Sequence, residues 1–134
     1  MNRKKDHSLT PTELEIMSVL WETGPANVQI IQRRLPRELA YTTVQTVLNI
    51  LHRKGKVRRT LKNRAYCYKA VVSRQQVVRH TISSLVDRLF GGSAESLVMS
   101  LLETKQLTPQ KLSQLNAAIK ASAKSKGASG DSIQ

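Results

Sequence analysis

The chain has 134 residues and a formal net charge of +13, from 22 Lys plus Arg against 9 Asp plus Glu. That length fits one domain, or one small domain with an appendage, and with 40% hydrophobic residues but a single Phe, a single Trp and three Tyr, any core must be built from Leu, Val and Ile. One cysteine, Cys67, excludes an internal disulfide framework and a zinc site on paired cysteines; no run approaches the roughly 18 apolar residues of a membrane span, and Met1 to Thr10 are polar and charged, so the expectation is a cytoplasmic protein without membrane insertion.

Helix-start signals open the first element. Thr10 can cap, Glu13 can close a capping box and Pro11 sits at the first helical position. Leu9 and Leu14 stand at the two positions of a hydrophobic staple, and Leu14, Met17 and Trp21, with Ile16 and Leu20, give an apolar stripe that Gly24 and Pro25 end. A second short helix is expected from about Val28 to Leu35, with Ile30 and Ile31 toward the core and Pro36 as its stop.

The third helix, from about Ala40 to Lys54, separates its faces. Val44, Val47, Leu48 and Leu51 stand at i, i+3, i+4 and i+7 and form the buried stripe. Thr42, Gln45, Thr46 and Asn49 repeat that spacing two residues earlier, so they lie about 200° away at 100° per residue. An ordinary solvent face would carry more Glu and Lys. Small hydroxyl and amide groups suit base edges, Gln or Asn pairing with adenine and Thr touching the thymine methyl. Arg53 extends this face by a turn.

Gly55 stops the helix, and Val57 to Leu61, a basic turn of Lys62, Asn63 and Arg64, and Ala65 to Lys69 read as a hairpin. Period two puts Tyr66 and Tyr68 on one face and Ala65, Cys67 and Lys69 on the other. Helix, turn, helix and charged hairpin make a winged helix-turn-helix arrangement, with Lys62 and Arg64 at the tip touching phosphates; Tyr41 and Arg53 join them as phosphate-binding candidates. Between Glu38 and Asp87 there is no acidic residue, while ten Lys or Arg fall there. Such a block builds a positive potential that attracts a polyanion, so double-stranded DNA is the expected partner.

The C-terminal third reads as helix. Ser73 with Gln76 forms a capping box, and Val78, Ile82, Leu85, Val86 and Leu89 line a stripe. Gly91 and Gly92 break the chain; Leu97, Val98, Leu101 and Leu102 make a second apolar helix. Leu107, Thr108, Pro109 and Leu112 repeat the N-terminal start pattern, and Leu115 and Ile119 continue it. Three short amphipathic helices without a sheet cannot bury their stripes alone, so a second copy is the expected partner. The expected division is a winged-helix DNA-binding domain over residues 1–72, a helical dimerisation domain over 73–122 and a disordered Ser, Ala, Lys and Gly rich tail over 123–134.

The segments LTPTELEIMSVLWETGP (9–25), AYTTVQTVLNILHRKGKVRR (40–59) and AYCYKA (65–70) closely resemble the penicillinase repressor family, which includes the methicillin-resistance and copper-transport repressors of bacteria. The resemblance spans about residues 8–122. It implies a homodimeric winged-helix repressor on a dyad-symmetric operator, its third helix in the major groove with Thr42, Thr43, Gln45, Thr46 and Asn49 at the matching positions. Ile50 departs from the Arg usual in relatives, which implies a weaker phosphate contact there. The resemblance also implies release through a membrane sensor-protease system that leads to cleavage at an Asn-Phe bond in the dimerisation domain. The corresponding bond here is Ser100-Leu101, and neither residue matches; release by a ligand or partner is the competing expectation.

Catalysis finds no support in the residues. His7, His52 and His80 are scattered, no acidic pair is spaced for acid/base work and no glycine-rich phosphate loop occurs. Cys67 among basic residues is a packing residue before it is a redox sensor. Copper-responsive relatives carry a C-terminal cysteine cluster that this chain lacks, so no metal or other cofactor is expected. Against the sequence-specific repressor stand a general basic nucleic-acid binder, which would not need a Thr, Gln and Asn reading face, and an interaction-only adaptor, which would not need the acid-free run.

Overall fold

The computed structural model describes residues 8–133, and side chains as far as Lys124. Among the described residues six helices and three strands follow one another: α1 (Pro11–Thr23), β1 (Ala26–Asn27), α2 (Val28–Arg34), α3 (Tyr41–Arg53), β2 (Val57–Lys62), β3 (Ala65–Ala70), α4 (Arg74–Leu89), α5 (Ala94–Glu103) and α6 (Pro109–Ile133). They divide into two compact units, one up to Ser84 and one from Leu85 on. That division falls inside α4. His7 lies outside the described residues.

In the first unit α1 starts as its sequence dictates. The Glu13 N–H donates to Thr10 Oγ1 at 3.1 Å and the Thr10 N–H donates to Glu13 Oε1 at 2.9 Å, closing the capping box. Ile16, Met17, Val19 and Leu20 are buried, and so is Glu13, in line with Met17 and Leu20 at i+4 and i+7. Leu14, about 100° around the helix from Glu13, is exposed, which corrects its place in the expected stripe. The same geometry corrects Ile30: Val28, Ile31 and Leu35 are buried in line on and beyond α2, and Ile30, one residue off, is exposed. Asn27 caps α2 by accepting from the Ile30 N–H at 2.9 Å.

Val44, Leu48 and Leu51 of α3 are fully buried, with Val47 packed against the same core. The helix ends in a Schellman motif: Gly55, at φ 77°, donates to the His52 carbonyl, and Lys56 N–H to the Leu51 carbonyl at 2.9 Å. The sheet is antiparallel in the order β1-β3-β2, Ala26 and Asn27 pairing with Tyr68 and Cys67. In β2 and β3, Lys62 stands opposite Ala65, and Asn63 and Arg64 both take positive φ (48° and 69°), the signature of a two-residue type I′ hairpin. Trp21 Nε1 donates to the Val72 carbonyl at 2.9 Å, tying α1 to the segment that leads into α4, where Ser73 and Gln76 close the expected capping box.

In the second unit Gly91 and Gly92 take positive φ and the Gly92 N–H donates to the Val86 carbonyl, ending α4. Ser93 caps α5, and Thr108 caps α6 by accepting from the Lys111 N–H at 3.1 Å. The α6 helix continues to Ile133, through the stretch expected as a disordered tail, and Gln134 lies outside the described residues. Of the four residue types that suggested the tail, Ala and Lys are strong helix formers and Ser and Gly weak ones. Among the described residues no helix is long and apolar enough to cross a membrane.

Candidate nucleic-acid interface

The exposed side of α3 carries Tyr41, Thr42, Thr43, Gln45, Thr46 and Asn49, all solvent-accessible while the opposite stripe is closed in the core. No base-edge candidate is spent on packing. Tyr41 is at the first helical residue and Arg53 at the last, about 18 Å apart along the axis. The N-terminal turns of α3 face the wing across a groove of about 440 Å³, lined among others by Asn27, Gln29, Tyr41, Gln45, Arg64 and Tyr66. The groove brings Arg64 of the wing together with Tyr41 and Gln45 of α3. Lys62 ends β2 beside the exposed hairpin turn and Arg64 lies in it, and Arg53 is exposed but outside the groove.

Period two also sorts the wing. Arg59 faces Tyr68 across the strands and Leu61 faces Tyr66, so these four side chains share the face turned to the helices. Tyr68 is 1% exposed and meets Tyr66 edge-on at 6.2 Å between centroids. The Arg59 guanidinium lies over the Tyr66 ring, 4.4 Å from its centroid, and Arg59 Nη1 donates to Asn49 Oδ1 at 3.0 Å. Arg59 is thus a bridge from wing to α3 that the sequence reading missed. The signal was present in the alternation of β2, where Arg59 falls on the Tyr66 and Tyr68 face once the hairpin register is known.

A second pin fixes the C-terminal end of α3. Lys54 Nζ donates to both oxygens of the buried Glu13 at 2.9 Å, joining the C-terminus of α3 to the start of α1. Arg37, in the segment between α2 and α3, pairs with Glu15 at 3.0 Å and donates to Thr12 Oγ1 at 2.9 Å. The polar face of α3 stays exposed, with Asn49 engaged by Arg59.

The remaining predicted positions lie elsewhere. Val78, Ile82 and Leu89 of α4 and Leu112, Leu115 and Ile119 of α6 are exposed apolar side chains, whereas Leu85, Leu97 and Leu101 are half-buried. Ser100 and Leu101 stand near the end of α5, and the Ser100 carbonyl accepts from the Thr104 N–H at 2.9 Å and from Thr104 Oγ1 at 2.8 Å. Among the described residues no three His, Cys, Asp or Glu gather as a metal site.

The comparisons agree with this picture. Residues 9–121 match the family model described as penicillinase repressor. The penicillinase repressor of Bacillus licheniformis is 25% identical over 114 residues, covering 84% of this chain and 89% of that protein. The methicillin resistance regulatory protein of Mammaliicoccus sciuri is 23% identical over 113 residues, 83% of this chain and 92% of that one. A crystal structure of a transcriptional regulator from Thermotoga maritima shares the fold at a TM-score of 0.50 and 18% identity, over 93% of this chain and 81% of its own. With its winged-helix architecture and an open polar face on α3, the chain belongs to the penicillinase repressor family of DNA-binding transcriptional repressors.

Proposed function

We propose that the protein acts as a homodimer on an operator of dyad symmetry, each copy laying α3 in a major groove, and that repression ends when a membrane sensor-protease system leads to cleavage at the Ser100-Leu101 bond. The observation that carries the DNA reading is α3 itself. Its Val44, Leu48 and Leu51 are fully buried while Thr42, Thr43, Gln45, Thr46 and Asn49 stay exposed beside a basic wing. Thr and Gln supply base-edge contacts, and Tyr41, Arg53, Lys62 and Arg64 supply phosphate contacts that position without reading. Two such helices related by a dyad meet successive major grooves about 34 Å apart or a multiple of that.

The test selects bound duplexes from a random library with the full-length chain and then challenges the complex with excess random duplex. A selected palindrome should survive the challenge. Gln45→Ala or Thr46→Ala should lower affinity for it by about five- to a hundredfold while leaving random DNA nearly unaffected, the size of a lost base contact. Arg64→Ala should weaken both and flatten the salt dependence by about one counterion. Binding that is lost equally on selected and random DNA in all three variants marks a general basic nucleic-acid binder instead.

A further inference from the structure

We infer that Arg59 is a positioning residue that sets the base preference of Asn49, turning its amide so that α3 presents a hydrogen-bond donor to the base it meets. The inference rests on the reading of α3 as the recognition helix. It begins from the 3.0 Å contact between Arg59 Nη1 and Asn49 Oδ1. A guanidinium has donors and no acceptor, so the amide oxygen is the atom that faces the wing.

The contact is built from the core outward. Tyr68, 1% exposed, packs edge-on to Tyr66, and Tyr66 carries the Arg59 guanidinium on its ring at 4.4 Å. The ring holds the guanidinium by a cation–π contact while Nη1 reaches Asn49 of α3. The sequences of α3, β2 and β3 contain no Asp or Glu, so no carboxylate on these elements competes with Asn49. A hydrogen bond from a charged donor is roughly twice as strong as a neutral one.

The consequence is chemical. Asn reads adenine by using both ends of its amide at once, Oδ1 accepting from N6–H and Nδ2 donating to N7. Arg59 takes one lone pair of Oδ1 and holds the oxygen toward the wing, so the Nδ2 hydrogens are the end left for the base, and guanine, through O6 and N7, and thymine, through O4, offer them acceptors. Asn49 therefore favours a keto base and disfavours adenine. Asparagine taken alone predicts the opposite.

Selection from a random duplex library decides it, with the full-length wild type and the variants Asn49→Ala, Arg59→Met and Arg59→Lys. In the wild type one position of each half-site should prefer G or T over A by about tenfold, and Asn49→Ala should flatten that position and no other. Arg59→Met, which keeps bulk and loses every donor, should move the same position toward A by about tenfold while the rest of the site persists. Arg59→Lys, which restores a cationic donor, should keep G or T. Adenine at that position in the wild type overturns the assignment, as does a G or T preference that survives in Arg59→Met. A uniform loss over the whole site in Arg59→Met makes Arg59 a phosphate contact and overturns it too. If the wild type selects no sequence at all, the recognition-helix reading fails and takes this inference with it.

Discussion

Three hydrogen bonds converge on the Glu13 carboxylate, one from the Thr10 N–H and two from the Lys54 ammonium, and the residue is 3% exposed. The polar group is tolerated in the middle of an apolar stripe because its oxygens are satisfied. Lys54→Met removes two of the three bonds and leaves the carboxylate buried. The expected cost is about 1–3 kcal/mol of unfolding free energy, measured by urea denaturation. Glu13→Gln combined with Lys54→Met should recover part of that loss, since a neutral amide costs less to bury than a charge left without its partner. If the double variant is as unstable as the sum of the single ones, the two residues act independently and the pin between α1 and α3 is not an energetic unit.

Elements differed in how far they could be read from their own residues. The starts of α1, α4 and α6 were legible because caps are local: a Thr or Ser and its partner lie three residues apart. The polar face of α3 was legible for the same reason, since one helical period defines it. By contrast β1 is two residues long and exists through its pairing with β3, which nothing in Ala26 or Asn27 announces. The bridge from Arg59 to Asn49 needs the hairpin register, and the pin from Lys54 to Glu13 spans 41 positions. At α5 the local hydrogen bonds also bear on release. The Ser100 carbonyl, which a protease must polarise, already accepts from Thr104 N–H and Oγ1, so cleavage requires the last turn of α5 to open. Thr104→Val removes the Oγ1 bond and should speed cleavage on induction, whereas Thr104→Ser, which keeps it, should not. Weighing the repressor recovered from induced cells checks this: intact protein during full derepression refutes cleavage, and a fragment ending at Ser100 supports it.

For the whole molecule, the first compact unit takes in the beginning of α4 as well as the winged helix, because a cap such as Ser73 marks where a helix starts, not which unit it packs with. Val77, in the second turn of α4, is 8% exposed and lines a small cavity with Lys56 and Val72 of the first unit. The exposed apolar residues beyond it are what a dimer would cover. Ile82, Leu89, Leu115 and Ile119 are each between 45% and 71% exposed. Isolated apolar residues are ordinary on a surface; Leu112, Leu115 and Ile119, in a run at helical spacing on α6, are the face the proposed dimer would bury. The full-length chain should therefore sediment as a dimer at micromolar concentration. Leu115→Asp with Ile119→Asp should shift it to monomer, because a charge buried at an apolar interface without a partner is costly. The monomer should keep its winged-helix unit folded and its weak affinity for random DNA, and lose the selected palindrome, since two half-sites must be engaged together. Wild-type protein that stays monomeric at that concentration while binding the palindrome tightly would refute the dimer.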